Sequence, residues 1–382
     1  MRAALLKAEG FRNTHGLCFE PTEGVNVLFG NNAQGKTNLL EAMWLFTGAK
    51  SFRGAREADC IAFGQKSARI SLSFHAQGRD QETIIRLGEK KKILLNDVEK
   101  PSLSSLSGSF CAVVFAPSHL RLVKDGPGER RRFLDASLCQ LRPGYRGLLN
   151  QYQRAMFQRN ILLRDYSLGL PGEMLDIWEE GMAKAGSEIV RQRCRYIESL
   201  TPFATEVYEG LSSGKEALSL HYEGEEYRSD RGGKEALLAA LRAARGEDLR
   251  LGCATVGPHR DELTISINDR PARLYGSQGQ QRSAALALKL GEASVLRDFS
   301  DELPVALLDD VMSELDPGRQ SYILNRIQGW QVFITCCDPV PILRCTEGAC
   351  FEVEGGEITP RGQAAESTSA NLASPDFMRD EA

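Results

Sequence analysis

Eight residues constrain this chain more than any others. Gly30-Asn31-Asn32-Ala33-Gln34-Gly35-Lys36-Thr37 matches G-x-x-x-x-G-K-[ST], the phosphate-binding loop. The match follows an apolar strand pattern, Val25–Phe29, and opens a helical pattern over 37–48 in which Leu39, Leu40, Met43, Leu45 and Phe46 form a broad apolar stripe. That order is what the chemistry needs. Glycines let the backbone turn its N–H groups around phosphate oxygens, and the helix start adds the positive end of its dipole. Lys36 reaches the β and γ phosphates, Thr37 ligates Mg²⁺, and Asn38 completes the expected ATP-binding run.

Such a loop needs a carboxylate for the magnesium shell, and Pro304-Val305-Ala306-Leu307-Leu308-Asp309-Asp310 offers an apolar strand ending in two acids. Asp309 takes the magnesium side at the strand's C-terminal end, where ligands sit in open α/β sheets. Period-two geometry turns Asp310 to the opposite side, toward the γ-phosphate, to orient or deprotonate the attacking water.

With 382 residues the chain exceeds twice the roughly 150 of a typical domain, so two or three packed units are expected. No run approaches the roughly 18 apolar residues of a membrane span. Ten scattered cysteines include no C-x-x-C pair and no zinc spacing, and the amino terminus has no signal-peptide pattern. A reduced, cytoplasmic protein with no membrane partner is expected. Formal net charge is -4, from 47 basic and 51 acidic side chains, so any nucleic-acid contact must use a local patch.

Strand patterns at 3–7, 68–74 and 83–87 make the first part of the chain largely sheet. From about residue 126 to 247 the patterns are helical, and Leu175, Trp178, Met182, Ala185, Ile189, Tyr196 and Leu200 fall on spacings of three and four, broken at Gln192 and Arg193. A helix of about 30 residues packed along a partner follows from that spacing. Strand patterns return at 250–256, 263–267, 305–308 and 332–335, with a helix over 283–297. The expected division is an ATPase head in two parts, 1–110 and 250–361, a helical arm lobe over 111–249, and a disordered polar tail over 362–382.

Tyr275-Gly276-Ser277-Gln278-Gly279-Gln280-Gln281-Arg282 precedes an apolar helical run. A polar, glycine-bearing helix start presents N–H groups and a hydroxyl to an anion, while the chain's own nucleotide is already served by residues 30–37. Either the loop simply caps a core helix, or it seeks the phosphate of a second copy.

Ser277-Gln278-Gly279-Gln280-Gln281 resembles the signature loop of ABC-type ATPases, and Ser313-Glu314-Leu315-Asp316 resembles their D-loop, with Ser313 and Asp316 at its ends. Together with Gly10-Phe11-Arg12-Asn13, Ser51-Phe52-Arg53, Arg130-Arg131-Arg132-Phe133-Leu134-Asp135 and Gly257-Pro258-His259-Arg260-Asp261, the set is similar to the RecF family of bacterial recombination and gap-repair ATPases. The resemblance implies an α/β fold: an ABC-type P-loop ATPase head with a mixed sheet, interrupted by a mainly helical arm lobe. It implies a slow, switch-like ATPase using ATP and Mg²⁺, with Lys36, Asp309 and Asp310 catalytic and Arg12 near the nucleotide. It further implies an ATP-dependent homodimer with the Ser277 loop acting in trans, a DNA partner, partnership with RecR, and help in loading RecA. Two stretches depart from the family pattern: Phe115-Ala116-Pro117-Ser118-His119-Leu120, where acids usually follow the proline, and Thr335-Cys336-Cys337-Asp338, where threonines are usual.

Arg130, Arg131 and Arg132, and Lys90, Lys91 and Lys92 on a hairpin turn, are the DNA-binding candidates. If the arginines lie on a helix their side chains diverge, so one serves the lobe interface. A dimer would gather two copies of each basic stripe into one groove. No aromatic platform for single strands is evident, which favours duplex or junction DNA. The alternatives are a monomeric P-loop nucleotide kinase or hydrolase, against which the Ser277 loop argues, and a non-hydrolysing scaffold in which Asp310 is dispensable.

Overall fold

The computed structural model describes residues 1–165, 173–343 and 346–361. The tail expected over 362–382 lies outside the described residues. The phosphate loop hangs from a six-stranded mixed sheet of β3 (Val25–Phe29), β8 (Ala112–Phe115), β12 (Val305–Asp309), β13 (Val332–Cys336), β14 (Gly348–Glu354) and β15 (Glu357–Arg361), in the order β15-β14-β3-β13-β12-β8. All neighbours are parallel except β14 and β15. Parallel strands need cover on both faces, which is why β3, β8, β12 and β13 are mainly apolar, the buried Asn26 of β3 being satisfied by the Thr22 and Gly24 backbone. Along β13, Phe333 faces one core and Ile334 the other.

The first core lies between this sheet, the phosphate-loop helix Lys36–Leu45 and an antiparallel sheet. The antiparallel sheet has the order β2-β1-β4-β5-β6-β7, from β1 (Arg2–Glu9), β2 (His15–Phe19), β4 (Ser67–Ala76), β5 (Arg79–Gly88), β6 (Lys92–Leu95) and β7 (Val98–Glu99). The second core joins the other face to the helical lobe.

The lobe's spine is the 40-residue helix Glu173–Ser212, longer than its periodicity predicts and continuing through Pro202. Beside it lie Pro127–Leu141, Tyr145–Asp165 and the signature helix Gln278–Ser300. Its packing against the last is close: a Cβ on Gly291 would sit 2.9 Å from Leu200. Arg193, where the apolar series breaks, is buried rather than solvated. Its guanidinium donates to both Asp135 carboxylate oxygens (2.9 and 3.0 Å) and to the Pro258 carbonyl (2.7 Å), so an internal ion pair replaces the missing apolar contact.

Three expectations change. Residues 250–256 are not a strand: the helix Arg245–Leu251 ends at left-handed Gly252, and Asp248 accepts from the backbone and hydroxyl of Thr255, fixing a turn instead. The strand at Leu263–Ile267 (β10) does not rejoin the head. It pairs with β9 (Leu218–Tyr222) and β11 (Arg270–Pro271) in a separate three-stranded sheet, so material on both sides of residue 250 belongs to one layer. Conversely β8, placed by sequence in the arm, is the edge strand of the head sheet beside β12, because its four fully apolar residues need two-sided cover.

Candidate functional site

The loop after β3 is held in a shape that only certain residues permit. Gly30 has φ 150° and a Cβ there would overlap the Val353 carbonyl, so β14 itself excludes a side chain. Gly35, at φ 114°, begins the helix with no side-chain cap, leaving its first N–H groups for a ligand. The tip of the β14–β15 hairpin braces the loop: Gly355 N–H donates to Gln34 Oε1 (2.7 Å) and Gly356 N–H to the Gln34 carbonyl (2.9 Å). Asn13 donates to the same carbonyl (3.0 Å) and accepts from Asn38 (2.8 Å). Lys36 folds over the loop, its Nζ donating to the carbonyls of Gly30 (2.5 Å) and Asn31 (2.8 Å).

Thr37 and Asp309, 272 positions apart in sequence, meet directly, Thr37 Oγ1 donating to Asp309 Oδ1 at 2.7 Å. Asp309 is buried at the end of β12, and burial raises its carboxyl above the usual range, opposed by hydrogen bonds from Thr37 and Thr335. Thr335, in the stretch that departs from the family pattern, is a site residue to which the sequence assigns no role. Its hydroxyl donates to Asp309 Oδ1 (3.0 Å) and accepts the Asp310 N–H (2.9 Å), tying both acids to β13. Its sequence signals are its place at the end of an apolar strand and the threonines usual in that stretch of the family. The hard oxygen donors Thr37 Oγ1 and Asp309 fit Mg²⁺, because the threonine can donate its proton to Asp309 while a lone pair faces the cation. Among the described residues no cluster of three or more His, Cys, Asp or Glu is suited to a metal. Magnesium in nucleotide sites uses one or two protein ligands with phosphate oxygens and water.

Asp310 departs from the strand geometry expected of it. The strand ends at Asp309, and Asp310 has φ 51°, a left-handed turn that an aspartate tolerates, so pleat alternation does not set its direction. Its side chain is exposed and accepts from the Ser313 hydroxyl (2.9 Å), joining it to the D-loop stretch. Cys337 lies after β13, where its thiol reaches Asn32 of the phosphate loop (3.2 Å).

Arg12 is engaged within the head. Its guanidinium makes two 2.8 Å bonds to Glu41 and one of 2.7 Å to the Asp59 carbonyl, and the Glu41 pairing raises its pKa. Glu41, wholly buried on the phosphate-loop helix, also accepts from Ser51 and pairs with Arg53 (3.6 Å), which in turn donates to Asn38 (2.8 Å). This cluster fixes the helix that carries Lys36 and Thr37. A glutamate among the apolar residues of 37–48 is its visible signal.

The signature loop is built elsewhere. Ser277 caps the helix Gln278–Ser300 through a reciprocal pair, its Oγ accepting from Gln280 N–H (3.2 Å) and its N–H donating to Gln280 Oε1 (2.7 Å). Ser277 and Gln278 are exposed, and the loop shares a cleft with Asp316, Gly318, Arg319 and Tyr322. Asp316 caps the next helix, Pro317–Arg326, accepting from Arg319 N–H (3.0 Å). Gln281 instead faces inward, donating to the Ala272 carbonyl (3.0 Å), and serves the loop rather than an outside ligand. Among the described residues no hydrogen bond or ion pair joins residues 277–281 to residues 30–38.

The arginine run also divides. Arg130 is 4% exposed and pairs with Glu262 through 2.7 and 2.6 Å bonds, a lobe contact and not a DNA contact. Arg131 is half-buried and donates to the Asp261 carbonyl (2.7 Å), whereas Arg132 is exposed beside Glu129. Divergence around the helix is the cause, as its period requires. Lys91 and Lys92 pair with Glu57 (2.7 Å) and Glu99 (3.7 Å), and Lys90 is exposed on the turn. His119 caps its own turn, accepting from Ala116 N–H (3.1 Å) in a pocket with Leu120, Leu286 and Lys289. Burial, then Lys289, keeps it neutral with a pKa well below the usual histidine range.

The model of the RecF/RecN/SMC N-terminal domain matches residues 4–347. The DNA replication and repair protein RecF of Heliobacterium modesticaldum is 39% identical over 344 residues, covering 88% of this chain and 92% of the relative. That of Halalkalibacterium halodurans is 37% identical over 373 residues, covering 95% of this chain and all of the relative. Among solved structures, the recombination mediator protein RecF-ATP of the RecFOR pathway superposes with TM-score 0.87 at 33% identity, over 94% of this chain and 97% of the other. An Smc head domain from Pyrococcus furiosus shares the fold at TM-score 0.53 and 16% identity, over 94% of this chain and 95% of the other. The ABC-type head interrupted by a helical lobe, the paired phosphate loop and β12 acid, and relatives matched over nearly their whole length place this chain in the RecF family.

Proposed function

We propose that the chain is an ATP- and Mg²⁺-dependent DNA-binding ATPase of replication and recombinational repair that dimerises on ATP, clamps gapped or junction DNA, and is reset by hydrolysis. The observation that carries this reading is the exposed, N-capped start of the signature helix at Ser277, separate from the chain's own phosphate loop. Two anion-seeking helix starts on one chain are both used when a second copy supplies the other half of each site. The γ-phosphate is then a ligand shared by two surfaces, so ATP and ADP differ in the dimer they support. In a monomeric kinase or hydrolase Ser277 would serve only as the cap of its own helix.

Within the site, the N–H groups after Gly35 and the Lys36 ammonium bind phosphate oxygens. Bound Mg²⁺, held by Thr37 with Asp309, would neutralise phosphate charge. Asp310 orients the attacking water from a short side chain, which fits slow, switch-like turnover. The RecFOR pathway of the solved relative supports partnership with RecR, and help in loading RecA is the role that the family resemblance suggests. The cytoplasm is the fitting compartment.

Molecular mass by light scattering, with ATP, ADP and no nucleotide, tests the dimer. The wild type is expected to double in mass with ATP alone, and Ser277→Arg to stay monomeric while still binding ATP. A nucleotide-independent mass would sink the clamp. For turnover, Thr335→Val removes the hydroxyl that holds both Asp309 and the Asp310 N–H. Steady-state hydrolysis is expected to fall roughly 10- to 100-fold, the range for removing an orienting hydrogen bond, with ATP affinity changed far less. Thr335→Ser should restore it, and equal turnover in Thr335→Val would remove Thr335 from the mechanism.

A further inference from the structure

We infer that the outer face of the antiparallel sheet is a track for the phosphates of a duplex DNA backbone, centred on Arg69, Arg86 and Lys92. The inference rests on the DNA-binding reading above and locates the surface that carries it. In the ladder, Arg69 on β4 lies directly opposite Arg86 on β5, and Arg86 directly opposite Lys92 on β6. Adjacent strands are about 4.8 Å apart, so three cations stand in one straight row across three strands. The neighbouring row, Ile70, Ile85 and Ile93, is buried in the first core, so alternation turns the cations to the opposite face, and all three are exposed.

Like charges directly opposite one another destabilise a sheet. The neighbours relieve them only in part, Glu99 at Lys92 and Glu9 across from Arg69 lying at the two ends of the row while Arg86 in the middle has no acid directly opposite. Lys92 has Glu99 at 3.7 Å, but among the described residues neither Arg69 nor Arg86 has an ion-pair partner. Glu9 lies opposite Arg69 on β1 and forms no ion pair with it, and Glu89 sits on the β5–β6 turn. Lys90 on that turn and Lys66 on the loop entering β4 extend the row at the same end. A repulsive row retained on an open surface is compensated when an anion covers it. The three side chains stand exposed in a row on a sheet face, a geometry that suits an extended polyanion with repeating charges better than a small anion held by a single contact. With Arg130 buried, this face offers the basic stripe that a near-neutral chain needs.

The test uses the full chain with Arg69→Gln and Arg86→Gln combined, titrated with duplex DNA in ATP across a salt series. Affinity is expected to fall roughly tenfold or more, and the salt slope to flatten by about 0.9 for each phosphate no longer neutralised. The ATP-dependent mass should be unchanged and the melting temperature equal or higher, because repulsion is relieved. Arg69→Lys with Arg86→Lys should bind as wild type. Wild-type affinity and slope in the glutamine variant would overturn the track, as would a lower melting temperature, which marks a structural role. Loss of binding to phosphatidylserine vesicles with DNA affinity intact would assign the face to membranes and also overturn it. A wild type that dimerises with ATP yet never binds duplex DNA would instead refute the DNA-binding reading.

Discussion

Lys36→Met is expected to abolish the ATP-dependent rise in mass and, with it, DNA retention. The side chain is buried, and methionine matches its four-atom stem, so the head should fold as before. What disappears is the ammonium, whose donors now lie on the Gly30 and Asn31 carbonyls and would pass to phosphate oxygens. A hydrogen bond to a charged group contributes about 1.5 to 3 kcal/mol, and two such bonds correspond to roughly a hundredfold or more in nucleotide affinity. Dimerisation falls further still, since each of two sites must hold its nucleotide before Ser277 of a second copy has anything to grip. Nucleotide titration, mass and a melting curve on one sample check this. A variant that melts normally but still gains mass with ATP would break the link between loop and dimer.

The phosphate loop and Asp309 are legible in the sequence because each is a short motif whose mechanism fixes its flanks. A strand must precede the loop and a helix must follow it, and both do. Interactions across long sequence separation leave weaker marks. Thr335 acts through one bond to Asp309 and one to the Asp310 N–H just beyond β12, and nothing in its own strand pattern gives its hydroxyl that task. Strand alternation gives Asp310 a direction, but the chain leaves the strand one residue earlier and turns left-handed. The arginine run shows the same limit: three adjacent charges look alike in sequence, and only the partner element decides that Arg130 meets Glu262 while Arg132 meets solvent. The Arg69, Arg86 and Lys92 row is invisible in sequence for a related reason. Its members are 17 and 6 positions apart, and strand register alone aligns them.

Arg159→Ala is expected to produce the largest loss of stability among single changes in the lobe. The guanidinium, on the helix Tyr145–Asp165, is fully buried where three further helices meet it, and donates to Glu179 (2.9 Å), Asp248 (2.6 Å) and the Leu241 carbonyl (3.3 Å), with both carboxylates equally buried. Removing one member of a buried ionic cluster leaves the others charged without solvent, at about 3 to 5 kcal/mol. Arg245 still reaches Glu179, and Thr255 still donates to Asp248, so the cost should fall short of complete unfolding. Urea denaturation should show a lowered midpoint for the lobe, while Arg159→Ala combined with Glu179→Leu and Asp248→Asn should recover part of it. The effect should also reach the site. The helix bearing Glu179 packs closely along the signature helix at Gly291 and Leu200, so loosening it frees Ser277 from its fixed place while leaving the phosphate loop on its own core. The variant should therefore bind ATP nearly as tightly as wild type yet dimerise less, and a parallel loss of both would show that the two cores unfold as one.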